Sequence, residues 1–404
     1  VLSGKQLEYL AGCDHRWNLK TGATGSGKSW LDYAVVIPKR IMALKGEGAA
    51  IILGNTQGTA NRNILEPMRD IWGQTLVGPL RAADNSARLF GRKVYVMGAD
   101  SKKHVARIQG MTIEYAYGDE MTTWAQEVFE MLKSRLRCPH SGFDGTCNPD
   151  NPEHWLKKFI DSDADVFNQT STIDDNPFLP PDFVENLKRE YAGSVYYDRF
   201  ILGHWVAAEG AIYRLFADDP ERFQAEPEDG DIHTVWIGQD FGGNGSAHAM
   251  VALGTDARFT RLWALDEYYR KGVLTPQELE RDFCEFVQRI SDKYRLGGIY
   301  ADSAEQVLIQ GERQALYRSR LLYDIENSLK KPIVDRIRFT VRMLGAGRLF
   351  ISPRCAHLIE ALRSARWDEK HTTEDVRLDD GTTNIDSLDA LEYAFERYME
   401  DYIR

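Results

Sequence analysis

The stretch Gly22-Ala23-Thr24-Gly25-Ser26-Gly27-Lys28-Ser29 decides the first half of this chain. It fits the phosphate-loop pattern G-x-x-x-x-G-K-[S/T], in which glycines let successive backbone N–H groups point inward at phosphate oxygens. In that pattern Lys28 reaches the β- and γ-phosphates of ATP and Ser29 holds Mg²⁺. The flanks agree. Arg16 to Lys20 reads as a short strand entering the loop, and Ser29 to Lys45 as a helix leaving it, bent at Pro38. The helix N-terminus adds its partial positive charge to the phosphate site.

Outward from the loop, strand-like and helix-like segments alternate. Ala49 to Gly54 is a short apolar run, as in a strand buried on both faces. Gly58 to Trp72 reads as a helix, Arg88 to Gly98 as a hairpin, and Thr112 to Gly118 as a strand that runs into Asp119-Glu120. Thr122 to Arg137 is a helix, and Phe143 to Cys147 a strand that ends at Asn148-Pro149. The alternation predicts a doubly wound α/β sheet with its ligand at the carboxyl ends of the strands. In such an ATPase, Asp119 assists Mg²⁺ and Glu120 orients the attacking water. Thr146 and Asn148 sit where a polar side chain senses the γ-phosphate. Arg107, in the basic cluster Lys102 to Arg107, and Arg135 are candidates for the cation that phosphoryl transfer needs; each also reads as a surface arginine. Gly118 is unusual, because a bulky apolar residue is commoner before the acid.

The second half has a different signature. Strands are expected at His233 to Asp240, Ala247 to Leu253 and Arg261 to Tyr268, with a turn at Gly243-Asn244-Gly245. A strand Gly298 to Asp302 follows the amphipathic helix Thr275 to Tyr294, and a helix Thr383 to Tyr398 closes the chain. Asp240 and Asp302 end strands, while Asp386 and Asp389 open the last helix. Carboxylates that converge from separate elements repel one another, and divalent metal relieves the repulsion. Two such metals activate water and stabilise the leaving oxygen in phosphodiester cleavage. Singly, each acid also reads as a cap or turn residue, Asp386 above all.

Bulk properties bound these readings. The chain has 404 residues, 43% apolar and 27% charged, which suits two or three domains with ample core. No run of about 18 apolar residues occurs, so no membrane span is expected. The five cysteines are scattered, without a C-x-x-C pair, which argues against a zinc site or a disulfide framework. The net charge of −11 opposes nucleic-acid binding only globally, since a few placed Lys and Arg suffice to grip phosphates. The segment Arg313 to Arg342 is richest in them and reads either as a DNA contact or as a solvated helical face.

In ordered combination these motifs resemble the large terminase subunit of tailed phages and prophages. The resemblance rests on Gly22 to Ser29, Arg107 to Gly110, Tyr117 to Glu120, Thr146 to Pro149, Asp175 to Pro177, Gly203 to Trp205, Gln239 to Gly242, Tyr300 to Asp302, Cys355 to Trp367 and Asp386 to Tyr393. It implies an N-terminal P-loop ATPase with a helical lid, then a C-terminal RNase H-like nuclease domain. The expected divisions are 1–173, a lid 174–217, a linker 218–231 and a nuclease domain 232–404. It implies a motor that uses ATP and Mg²⁺ to drive double-stranded DNA through a portal protein into a procapsid. The same chain would cut concatemeric DNA, with Mn²⁺ as a second candidate metal.

Carried onto this chain, the loop residues Gly22, Ala23, Thr24, Gly25, Ser26, Gly27, Lys28 and Ser29 bind nucleotide, with Asp119 at the Mg²⁺ and Glu120 as catalytic acid. Thr146 and Asn148 fall in the coupling motif, and Arg107 matches the trans-acting arginine. Asp240, Asp302 and Asp389 are the nuclease metal ligands, with Asp386 accessory. Gln6 is placed to read adenine. A small terminase subunit, a pentameric ring and the host cytoplasm complete the expectation, with no place in the mature virion. Many relatives have histidine where Ser387 stands. The competing readings are an ATP-dependent helicase or remodeller without nuclease activity, and an assembly factor that uses ATP only to hold a shape.

Overall fold

The computed structural model describes residues 1–242, 246–371, 373–380 and 383–402. The expected turn at Gly243-Asn244-Gly245 lies outside the described residues. The chain forms two compact units. The first is Val1–Glu185 with Tyr196–Ala207 and a short return through Glu374; the second is Asn186–Val195, Ala208–His371 and the stretch from Asp375.

The first unit holds a seven-stranded sheet. Its strands are β1 (Trp17–Gly22), β2 (Ala49–Gly54), β3 (Ser86–Leu89), β4 (Arg92–Gly98), β5 (Ile113–Gly118), β6 (Gly142–Cys147) and β7 (Val166–Ser171). Their order is β3-β4-β2-β5-β6-β1-β7, parallel throughout except for the β3–β4 hairpin. β2 reads as one apolar run because both its faces are covered. Ile51 and Leu53 pack among Trp17, Phe129 and Phe143, whereas Ala50 and Ile52 pack among Ile64, Val94 and Tyr117. A buried ion pair, Lys20 Nζ to Asp32 at 2.7 Å, ties β1 to the helix that leaves the loop. Asp32 also accepts from the Tyr117 hydroxyl at 3.1 Å, and burial pushes its carboxyl up to about 7.

That helix corrects an expectation. It does not run from Ser29 to Lys45 with a bend at Pro38; it consists of Lys28–Leu31, a π segment Asp32–Val36 and Ile37–Met42. The helix expected at Gly58 to Trp72 repeats the pattern: Gln57–Ala60, a π segment Asn61–Leu65, then Glu66–Trp72 with Pro67. A proline has no N–H to donate and its ring crowds the carbonyl four residues back. A wider turn just before it absorbs both problems without ending the helix.

The second unit holds a six-stranded sheet of β8 (Thr234–Asp240), β9 (Ala247–Thr255), β10 (Leu262–Lys271), β11 (Leu296–Ala301), β12 (Ile325–Asn327) and β13 (Leu349–Ile351). Its order is β12-β11-β8-β9-β10-β13. β8, β9 and β10 form an antiparallel meander, and β11 and β12 run parallel to β8. This is the RNase H-like arrangement, with β13 added beside β10. The helix Pro276–Ser291 covers one face through Leu279, Phe283, Phe286, Val287 and Ile290, and Thr275 with Glu278 caps its start. The acidic stretch 218–231 does not run free. Phe223 is buried, Ala225 N donates to Ile351 O at 3.2 Å, and Glu226 takes the Ser352 hydroxyl.

The helix Asp386–Phe395 lies directly on β8. A Cβ on Gly238 would stand 1.9 Å from the Ala390 carbonyl oxygen and 2.6 Å from Ala394 N. Only a residue without a side chain permits this approach. Gly238→Ala is therefore expected to cost ~3 kcal/mol or more of stability by forcing the helix off the strand. Urea unfolding checks this; a loss below ~0.5 kcal/mol would contradict the seating of the helix on β8.

Candidate nucleotide pocket and acidic centre

In the first unit the phosphate loop leaves β1 at Gly22, whose φ is 135°. A Cβ there would meet Ser171 O at 2.1 Å, so the loop can lie against β7 only with glycine at this position. Ala23 N donates to Ser171 O and Thr24 N to Phe200 O, which fixes the base of the loop. Beside it opens a cavity of about 710 Å³. Thr24 to Ser29 line it together with Gln6, Glu120, Thr146, Asn148 and Phe178. That size suits a nucleotide.

Lys28 Nζ donates to the carbonyls of Gly22 and Ala23 at 2.9 and 2.6 Å, and to Asn148 Oδ1 at 3.1 Å. Burial lowers its pKa to about 8, partly offset by nearby acidic groups that include Asp119 and Glu120. Asp119 is buried behind the cavity wall. Its oxygens accept from Thr146 Oγ1 and Asn63 Nδ2, each at 3.2 Å, and burial raises its pKa. Glu120 reaches the cavity from a left-handed backbone (φ 49, ψ 49), a conformation that costs a residue with a Cβ about 1–2 kcal/mol. The strand therefore delivers the two acids to different places: Asp119 inward, Glu120 toward the ligand space.

Not every expected residue joins this pocket. Arg107 is exposed on the short helix Val105–Ile108 and is not among the lining residues. Arg135 is also outside them. Gln6 is in the pocket wall, but both ends of its amide are engaged: Oε1 accepts from Ser3 N and Nε2 donates to Gly27 O. It caps its helix and braces the loop. Asn176, within the motif Asp175 to Pro177, braces the loop as well: its Nδ2 donates to Gly25 O at 2.6 Å. Asn-Pro spacing signals a turn, and nothing in the sequence says which carbonyl the turn reaches.

In the second unit, β8 and β11 are parallel neighbours with Gln239 opposite Ala301. Asp240 and Asp302 therefore leave the sheet side by side, and Asp302 N donates to Gln239 O at 3.0 Å. The seating of the last helix at Gly238 brings Asp386 and Asp389 to the same end. Asp240 is buried, and burial followed by the charges of Asp389, Asp386 and Asp302 raises its pKa well above the usual carboxylate range. Asp240 thus feels the charge of the other three aspartates, and the chemistry of this donor set fits divalent cations.

Each of the other three acids is held by a partner of its own. Asp302 Oδ1 is 2.5 Å from Lys330 Nζ. Asp389 Oδ1 takes Arg377 Nη2 at 2.5 Å and Arg336 Nη1 at 3.5 Å. Asp386 Oδ2 accepts from Ala247 N at 2.8 Å, so it ties the helix to β9 and is not the helix cap, which is Ile385. Among the described residues no three metal-ligating side chains stand ready-grouped around one point. Ser387 Oγ accepts from Asn384 Nδ2.

The segment Arg313 to Arg342 is not a bare basic strip. Arg313 pairs with Asp324, Arg318 with Glu280, Arg336 with Glu392 and Arg342 with Glu190, so most of its charge is spent within the unit. Among the described residues no helix is long and apolar enough to cross a membrane.

Residues 21–217 match the family described as terminase large subunit, T4-like-virus type, N-terminal. The chain is also 22% identical over 435 residues to the PBSX phage terminase large subunit of Bacillus subtilis (strain 168), across 97% of this chain and 92% of that one. The likeness to large terminases thus extends from a family match in the first half to a relative along nearly the whole chain.

Its fold follows the large terminase of a thermophilic bacteriophage with a TM-score of 0.82 at 23% identity, over 98% of this chain and 99% of that one. The complex of that same phage protein with ATP-gamma-S matches with a TM-score of 0.80 at 23% identity, over 97% and 98%. The likeness runs through both units, so the chain has the expected fold: a P-loop ATPase fold followed by an RNase H-like one.

Proposed function

We propose that this chain is a large terminase, the motor subunit of a viral DNA-packaging machine. ATP hydrolysis in the first unit drives double-stranded DNA through the portal into a procapsid, and the second unit cuts concatemeric DNA. The observation that carries the reading is the pairing, in one chain, of a phosphate-loop cavity with Asp240, Asp302, Asp386 and Asp389 at one end of an RNase H-like sheet.

In this reading Gly22 to Ser29 bind the triphosphate, with Lys28 against its outer phosphates and Ser29 and Asp119 holding Mg²⁺. The ion neutralises the charge that develops on the transferred phosphoryl group. Glu120 orients the attacking water, and Thr146 with Asn148 registers loss of the γ-phosphate. The hydrogen bond from Lys28 to Asn148 gives that coupling a physical path, because a ligand that draws the ammonium away frees Asn148. Residues 174–217 form the lid, and Arg107 supplies its charge to a neighbouring subunit in a pentameric ring. Asp240, Asp302 and Asp389, with Asp386 beside them, hold two Mg²⁺ or Mn²⁺ ions. Such a pair activates water and stabilises the leaving oxygen. A small terminase subunit presents the DNA, in the host cytoplasm.

The test is packaging itself. Purified chain, portal-bearing empty procapsids, linear duplex DNA and Mg-ATP are combined, and DNA protected from added DNase is measured. ATP-dependent protection is expected. ATP turnover with duplex unwinding but neither protection nor cleavage would favour the helicase reading instead.

A further inference from the structure

The loop that follows β12 is built with more care than its ion pairs require. Lys330 has φ 49, in the left-handed region that side chains rarely adopt. The amides of Leu329, Lys330 and Lys331 all donate to one carboxylate, that of Glu396, at 3.2 and 3.1 Å for the latter two. Glu396 is fully buried and directly follows the helix that carries Asp386 and Asp389. Ser328 N donates to Ala301 O at 2.8 Å, which anchors the other end of the loop beside Asp302. The result is a Lys330 ammonium 2.5 Å from Asp302 Oδ1, near enough for its charge to act on Asp240 as well.

Stability does not explain this construction. The Lys330 side chain is 43% exposed and Asp302 17%, and ion pairs this open to water contribute little to folding. A strained backbone and a buried acid committed to three amides point to a functional constraint. The surroundings say which one. A centre of four aspartates repels a phosphodiester, and a half-exposed ammonium at its rim supplies the missing attraction. Lys330 differs here from Arg336 and Arg377, which are buried and bound to Glu392 as well as Asp389.

We propose that Lys330 is a DNA-phosphate-contacting residue of the cutting centre, held in place by Glu396, that passes between Asp302 and an oxygen of the cleaved strand's backbone. This rests on the nuclease reading of Asp240, Asp302 and Asp389. Lys330 would then compete with a metal ion for the Asp302 carboxylate. Removing the ammonium eases metal binding in free protein and weakens the hold on DNA.

The full chain is used for the test. Mn²⁺ binding is measured by calorimetry without DNA, and duplex binding is followed against salt, for wild type, Lys330→Met, Lys330→Arg, Glu396→Gln and Asp240→Asn. Lys330→Met is expected to bind Mn²⁺ severalfold more tightly and to lower the slope of log affinity for DNA against log salt by about 1. Lys330→Arg keeps the wild-type slope, and Glu396→Gln falls between. Wild-type metal affinity and salt slope in folded Lys330→Met would overturn the assignment while Asp240→Asn still loses Mn²⁺. If Asp240→Asn binds Mn²⁺ as wild type does, the acidic centre itself is misread and Lys330 falls with it.

Discussion

Glu120→Gln is expected to slow ATP turnover by about 100- to 10,000-fold, the range that a positioned acid–base group contributes, with nucleotide affinity close to wild type. The structure separates the two effects. The loop is braced by Ser171, Phe200, Gln6 and Asn176. Glu120 is exposed and lines the cavity at the strand end, and the isosteric amide keeps its shape while removing its charge. Asp119, buried and hydrogen-bonded to Thr146 and Asn63, remains as it was. Single-turnover hydrolysis together with equilibrium binding of a fluorescent ATP analogue tests this. Full-rate hydrolysis by the variant would remove Glu120 from the mechanism; loss of binding would mean that it supports the pocket instead.

Asp240→Asn is expected to lower DNA cleavage by ~1,000-fold or more, since losing a metal ligand forfeits several kcal/mol of charge stabilisation at the reacting phosphate. ATP turnover should be unchanged. The same substitution makes a second, opposite prediction in chelator. Asp240 is buried among Asp389, Asp386 and Asp302, and its folded-state pKa lies above its unfolded value near 3.9. The folded state therefore binds more protons than the unfolded one between those two values, so wild-type stability falls as pH rises through that window and stays lower above it. Asparagine carries no such charge. At neutral pH without metal, Asp240→Asn should be more stable than wild type by ~1 kcal/mol, and added Mn²⁺ should stabilise only the wild type. An Asp240→Asn protein that is less stable in chelator would show that the acids do not repel one another.

How much of this was legible beforehand depends on how far apart the partners lie. Local signals carried well. The loop motif, the apolar run of β2 and the strand that ends in Asp119 lie at or near where the sequence places them. β7 was missed because Val166–Ser171 is polar and mostly half-exposed, with no clean alternation, yet it pairs with β1 along its length and Ser171 braces the phosphate loop. The π segments were missed because apolar periodicity does not report one widened turn. The braces Gln6 and Asn176 carry no residue-type signal for the carbonyls that they reach.

The sequence by itself determined the chemistry present: a glycine cradle with its lysine, an acid pair after a buried strand, and aspartates at the ends of later elements. These follow from backbone sterics and from periodicity, which act over a few residues. Only the tertiary structure decided that Asp240, Asp302, Asp386 and Asp389 share one end of a sheet. The parallel register of β8 with β11 and the helix seated against Gly238 bring them there. It also decided that Asp302 faces Lys330 and Asp389 faces Arg377, because which charges meet depends on how separate elements dock.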